Sequence, residues 1–203
     1  MIAEVFILVF ALLLAVLRSL PGPVFFPIRA LAIAYADFFR GVPTILVIAL
    51  LGFGAPALAI EGVPTSTTFW GIVSLVLIYT AYVSEVYRAG IESVHPSQEA
   101  AARSLGLTRS QALTAVVLPQ AVRRVIPPLL NDFIGLQKDT ALVGILGSVE
   151  AFKQSQIEVS ADFNFTYYLV AATLFVAITI PLARFTDWLV ARDRRKRQAG
   201  SLA

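Results

Sequence analysis

Residues 68–87 read Thr-Phe-Trp-Gly-Ile-Val-Ser-Leu-Val-Leu-Ile-Tyr-Thr-Ala-Tyr-Val-Ser-Glu-Val-Tyr, with no charge before Glu85. A helix satisfies its own backbone hydrogen bonds, so about twenty such residues cross a bilayer as one span. The rest of the chain follows suit. Of 203 residues, 58% are hydrophobic and only 14% charged, with a mean hydropathy of +0.79. Soluble domains run at roughly 45–50% apolar and about 25% charged. The 16 basic and 13 acidic residues are too few and too clustered to clothe a soluble fold. An all-α integral membrane protein is expected, forming a single transmembrane domain over residues 1–203. The net charge of +3 then reports topology, and nucleic acid is not an expected partner. With no Cys and one His, His95, thiol catalysis, disulfides and Cys/His zinc clusters are excluded.

Five spans are expected. Ile2 to Leu17 is apolar apart from Glu4 and ends at Arg18 and the turn-forming Pro21-Gly22-Pro23. No Lys or Arg precedes it, so it reads as a span with a cytoplasmic C-terminal end, not as a secretory signal. Its 16 residues fall short of the ~20 a span needs, and the expectation is a first span cut into by the present start. Val24 to Phe39 is punctuated by Pro27, Arg29 and Asp37. Arg29 and Arg40 lie eleven residues apart on one helical face, which points to an interfacial elbow. Val42 to Ile60 supplies the second span, Thr68 to Tyr87 the third, Ile126 to Leu146 the fourth and Tyr167 to Val190 the fifth. Tyr167 and Tyr168 at one end of the last run and Trp188 at the other suit the two interfaces.

The basic residues orient these spans. Between Gly41 and Tyr87 there is none. Arg18, Arg29 and Arg40 follow span one. Arg88, Arg103, Arg109, Arg123 and Arg124 lie between spans three and four, and Arg184, Arg192, Arg194, Arg195, Lys196 and Arg197 close the chain. Fourteen of 16 basic residues thus share one side, leaving Lys138 and Lys153. The positive-inside rule places the N-terminus outside and the C-terminus in the cytoplasm, with the basic tail 191–203 as a topology anchor.

The cytoplasmic loop 89–119 reads as two short helices. Pro96-Ser97 starts the first, with Ser97 as N-cap, and Gly106 ends it as a C′ glycine. Thr108 caps the second, Gln111 completes a capping box, and Pro119 marks its end. Ala101, Ala102, Leu105, Leu107, Ala112, Val116 and Leu118 give this knob an apolar surface with nothing of its own to pack on. A partner protein is implied.

Glu99-Ala100-Ala101-Ala102-Arg103-Ser104-Leu105-Gly106, followed after nine residues by Val116-Val117-Leu118-Pro119, resembles the EAA loop of ATP-binding-cassette importer permeases. Phe38-Phe39-Arg40-Gly41-Val42-Pro43 resembles the "FRGTP" element of the polar amino-acid branch. Tyr82 to Val94, Leu118 to Pro128 and Leu136-Gln137-Lys138-Asp139-Thr140-Ala141-Leu142-Val143 continue the likeness, which runs from about Pro27 to the C-terminus. The resemblance implies a permease of a bacterial cytoplasmic (inner) membrane importer for a polar amino acid. It implies an ATPase docked on the loop through Glu99, Ala101, Ala102, Leu105, Gly106, Leu118 and Pro119, so that the loop acts as a lever on spans three and four. It also implies a second permease subunit and an extracytoplasmic solute-binding protein near Gly144, Gly147 and the stretch to Glu158. Two positions depart from the pattern. The family's loop glutamate falls on Ala100, and Glu99 stands one residue earlier, roughly 100° around a helix. Val47 stands where many relatives carry a polar residue, usually Gln.

The fourth span is unusually polar, holding Asn131, Asp132, Gln137, Lys138 and Asp139. A charge at mid-bilayer costs on the order of 2.5–3.5 kcal/mol, so these residues should face protein or water. Asp132 and Asp139 share a face, and Asn131 with Lys138 repeats the spacing one residue back. Two readings stand: a substrate path of Glu85, Asn131, Asp132, Lys138 and Asp139, or an interhelical network, with Glu85 and Arg88, or a subunit interface. Pro127-Pro128 is either a point of bending or an entry turn.

The chain carries no G-x-x-x-x-G-K-[ST] phosphate loop, so ATP hydrolysis is assigned to another subunit, and no cofactor or metal is expected. Three rivals remain open in sequence. An ion-coupled secondary transporter would use Asp132, Lys138 and Asp139 as its ion site. A membrane-tethered helix-turn-helix would use Ala101 to Arg109, but lacks the usual third helix. An intramembrane hydrolase would need a nucleophile–base pair on a span, which the sequence lacks.

Overall fold

The computed structural model describes residues 2–200, leaving aside the side chains of Ile2, Arg194 and residues 196–200. The side chains of Arg194, Lys196 and Arg197, on which much of the expected tail anchor rests, therefore lie outside the described residues. Among the described residues all regular structure is helical: α1 (Ile2–Ser19), α2 (Phe26–Gly41), α3 (Thr44–Ala57), α4 (Thr67–Glu92), α5 (Pro96–Ser104), α6 (Arg109–Ala112), α7 (Leu118–Asp139), α8 (Ala151–Asp162) and α9 (Thr166–Gly200). A π-helical turn, Leu113–Val117, joins α6 to α7, and a 3₁₀ stretch, Thr140–Leu146, follows α7.

The apolar run that decides the fold becomes α4, and the bundle is built around it. Ser66 caps its start by accepting from the Phe69 amide at 3.3 Å. Helices α1, α2, α3 and α7 all pack on α4. Ile7, Ile48, Ile78 and Val83 are fully buried between them, with Leu136, Val143 and Leu146 closing the core. Lipid offers no hydrophobic drive for helices to associate, so close backbone approach must supply van der Waals energy. Glycines provide it: Gly52 faces Leu146, Gly71 faces Val143 and Gly90 faces Val125, each with no room for a Cβ. Helix α9 packs on α7 and α8 and leaves Leu169, Val170, Leu174 and Ile178 more than half exposed, a surface for lipid or another subunit.

Among the described residues three helical stretches are long and apolar enough to cross a membrane: Thr67–Glu92, Arg109–Leu146 and Thr166–Asp193. Helices α2 and α3 pass that test only as a pair, bent by 102°. The bend lies after the stretch Val24 to Phe39 expected as an elbow, which is mostly the helix α2; it falls at Val42, whose backbone is extended, and Pro43. The second span is shorter than expected. Pro56 lies in the last turn of α3, Ala59 has φ 47°, and the helix stops at Ala57 instead of Ile60. Fourteen residues rise only about 21 Å, less than the ~30 Å apolar core.

The fourth span also differs from expectation. It does not begin at Ile126, and Pro119 does not end the second loop helix. Helix α6, the π-turn and α7 form one continuous rod through Pro119, which follows directly on the π-turn, where the Leu118 amide reaches back to Leu113 O and the ladder is already shifted. Pro127 and Pro128 are inside α7, which excludes an entry turn.

Candidate coupling hairpin and polar cleft

The hairpin is held by local backbone chemistry. His95, not Ser97, caps α5: its Nδ1 accepts from the Ser97 amide at 3.2 Å. At the other end the Gly106 amide donates to Arg103 O at 3.0 Å and the Leu107 amide to Ala102 O at 3.3 Å. These are the two bonds of a Schellman stop, and Gly106 takes the left-handed φ of 90° the motif demands. Thr108 and Gln111 form the expected capping box, with Thr108 N to Gln111 Oε1 at 2.9 Å and Gln111 N to Thr108 Oγ1 at 3.3 Å.

Helix α5 then folds back on α6 and the π-turn. Ala102 and Ala112 are buried in that contact, so Ala102 holds the hairpin together from within and offers no surface. Ala101, Leu105, Leu118 and Pro119 are exposed, Leu105 by 83%. Glu99 is half-buried, its Oε1 3.7 Å from Arg109 Nε, and Gln120 donates to Gln98 at 3.3 Å. Both contacts cross from α5 to the continuous rod. The hairpin is thus a braced extension of α7.

At the root of the hairpin, four helix ends converge. Glu85 Oε2 lies 2.8 Å from Arg18 Nη1 and 3.7 Å from Arg40 Nη1, while its Oε1 pairs with Arg88. Arg88 also pairs with Glu92. Arg124 of α7 donates to the Ser93 carbonyl at the end of α4. The basic ends of α1, α2, α4 and α7 therefore meet at one level. Glu85 was expected on a substrate path or beside Arg88; the structure makes it the hub of three arginines.

A cleft of about 360 Å³ opens beside this hub, lined by Arg40, Tyr82, Glu85, Arg124, Pro128 and Asp132 among others. Asp132 Oδ2 is buried there without a hydrogen-bond partner among the described residues. Asp139, two turns on, accepts from the Tyr79 hydroxyl at 3.0 Å, fixing α7 to α4. Asn131 and Lys138 are exposed and stand off this face. Lys138 instead borders an apolar cleft with Phe152 of α8 and Tyr168 and Phe175 of α9. Glu85 and Asp132 thus line one cleft, and Asn131 and Lys138 are not among its lining residues. Gln137, one residue before, accepts from Thr179 of α9 at 3.1 Å.

Arg18, Arg40, Tyr79, His95 and Arg124 were not singled out as site residues by sequence. Arg18 reads in sequence only as topological charge and Arg40 as part of the elbow face and the Phe38–Pro43 element, and no local pattern joins Arg18 to a partner 67 residues away. Among the described residues no cluster of His, Cys, Asp and Glu could hold a metal ion.

Residues 7–195 match the family model described as binding-protein-dependent transport system inner membrane component. The probable glutamine ABC transporter permease protein GlnM of Bacillus subtilis (strain 168) is 36% identical over 172 residues, covering 83% of this chain and 77% of the relative. The probable amino-acid ABC transporter permease protein PatM of Vibrio harveyi is 34% identical over 189 residues, 93% and 83% of the two chains. A solved structure described as an amino acid ABC transporter with histidines superposes with a TM-score of 0.83 at 29% identity, over 94% of this chain and 86% of that one. The MetNI methionine ABC transporter in an inward-facing conformation shares the fold, with a TM-score of 0.72 at 18% identity. A continuous rod through α6 and α7 leaves no free helix-turn-helix domain, and the family is not one of secondary transporters or hydrolases. The chain belongs to the binding-protein-dependent transport system inner membrane components, as a permease subunit of an ATP-driven ABC importer.

Proposed function

We propose that this permease moves a polar amino acid across a bacterial cytoplasmic membrane, energised by a separate ATPase that docks on the 89–119 hairpin. The observation that carries the proposal is the unbroken rod from Arg109 to Asp139. The hairpin runs without a loop into the helix that bears Asp132 and Asp139, with Pro127 and Pro128 between them as the one point where that helix can bend. The likeness to glutamine and amino-acid permeases supports the substrate class. Glu99, Ala101, Leu105, Gly106, Leu118 and Pro119 are assigned to the docking surface, with Ala102 as its internal support.

The path is assigned to the cleft between Glu85 and Asp132. A buried carboxylate oxygen without a partner invites the ammonium group of an amino acid. Asn131 and Lys138 are assigned to a subunit interface, because an exposed Lys138 facing lipid would cost several kcal/mol. A second permease subunit, the same or homologous, would cover that face and complete the wall of the path. A solute-binding protein is assigned to the opposite end, at the 3₁₀ stretch and α8. Five spans are assigned, with α1 and the bent α2–α3 pair joining the three long helices, so that the N-terminus is external and the C-terminus and the convergent arginines are cytoplasmic.

Proteoliposomes holding this permease, its ATPase and its binding protein test the proposal. Uptake of a radiolabelled polar amino acid that requires ATP supports it. Uptake driven by an ion gradient without the ATPase rejects it.

A further inference from the structure

We propose that the groove between the start of α7 and the end of α9 holds the headgroup of an anionic phospholipid. Arg123, Ile126 and Pro127 line it from α7, and Leu189, Arg192 and Asp193 from α9, around a cavity of about 180 Å³. Its level in the bilayer is marked by Trp188, which is 53% exposed, stacks with Phe185 at 6.0 Å and carries the Arg192 guanidinium 5.2 Å over its ring. An exposed indole with a cation on its face belongs at the boundary between acyl chains and headgroups.

The lining has the chemistry of a phospholipid at that boundary. Ile126, Pro127 and Leu189 offer apolar contact to glycerol and the first methylenes of an acyl chain. Arg123 and Arg192 offer planar N–H forks, the group best matched to a phosphate. Arg123 has no hydrogen bond or ion pair among the described residues, although it is an arginine at the edge of a membrane span. Among the described residues lining the groove Asp193 is the single carboxylate, against two guanidinium groups. A free anion would use only the cationic rim and leave the apolar floor wet. A lipid covers both, and α9 already exposes Leu174 and Ile178 along the same helix. An occupant here bridges the hairpin-bearing rod to the last span.

The test uses the whole transporter in nanodiscs of mixed phosphatidylglycerol and phosphatidylcholine, with retained lipid counted by native mass spectrometry. The wild type is expected to retain phosphatidylglycerol selectively. Arg123→Gln with Arg192→Gln should lower that retention about thirtyfold and leave phosphatidylcholine unchanged, since each cation near an anionic leaflet adds roughly a fivefold attraction. Arg184→Gln, exposed on α9 outside the groove, should leave it at the wild-type level. Arg123→Lys with Arg192→Lys should retain clearly more phosphatidylglycerol than the glutamine pair, which shows that the loss is one of charge, not of folding. Equal phosphatidylglycerol retention in wild type and the double glutamine variant overturns the proposal. So does loss of ATPase association with retention unchanged, which would make the groove a protein contact.

Discussion

Arg18 Nη1 of α1 and Glu85 Oε2 of α4 lie 2.8 Å apart, with the arginine side chain only 8% exposed and the glutamate 22%. This pair, reinforced by Arg40 and Arg88, clamps the basic ends of three helices at the root of the hairpin. Removing one partner of a nearly buried ion pair strands the other, at a cost of roughly 3–5 kcal/mol. Glu85→Gln should therefore lower the thermal midpoint of the purified protein in detergent by several degrees. Replacing both Glu85 and Arg18 by Leu should recover part of the loss, because Arg40 and Arg88 can reach solvent. A double variant less stable than Glu85→Gln alone would contradict the clamp.

Gly106 offers a cleaner separation of stability from coupling. An added Cβ would meet nothing within 4 Å, so a larger residue is opposed only by the φ of 90°. That strain costs about 1–2 kcal/mol for an ordinary residue and less for Asn. Gly106→Leu should insert at wild-type levels yet lose ATP-coupled uptake, while Gly106→Asn keeps most of it. Normal uptake by the leucine variant would show that the redirected second helix does not matter.

At the crossing of α4 and α7, Gly90 and Val125 occupy one space. Gly90→Ala should destabilise by about 1–3 kcal/mol through overpacking. Adding Val125→Ala should restore most of that, as read by thermal unfolding. Additive losses in the double variant would place the strain elsewhere.

Asp132 and its neighbour Asn131 face different surroundings, and transport should tell them apart. Asp132→Ala is expected to cut the uptake rate about tenfold while stability holds or rises, because it removes a buried unpaired oxygen. Asn131→Ala should leave substrate affinity within about twofold. The reverse ranking would move the path to the opposite face of α7.

These contrasts follow from which interactions are local. The bonds of the capping box at Thr108 and Gln111 and of the stop at Gly106 reach across three to five residues, and local backbone chemistry made both legible in sequence. The run around Leu75 announced its burial by length and apolarity alone. Pro119 misled because a π-turn absorbs it and lets the helix continue, a device without a sequence signature. Ser97 lost the N-cap to His95, whose ring nitrogen reaches the same amide. Ala102 looked like surface because a sequence shows apolarity but not which helix folds over it. The three-arginine hub was hidden for a simpler reason: Arg18, Arg40 and Glu85 meet only after the chain has folded, and each alone resembles an interfacial charge.

The central claim is that the hairpin receives the ATPase and drives α7, with which it is continuous. Its most direct test is a disulfide cross-link: Cys placed at Leu105, in a chain with no natural Cys, against single Cys positions along the ATPase surface. A cross-link confined to one cleft of the ATPase, with ATP-driven uptake abolished on oxidation and restored on reduction, is the predicted result. Uptake that persists while the hairpin carries no cross-link to the ATPase at any position would contradict the account.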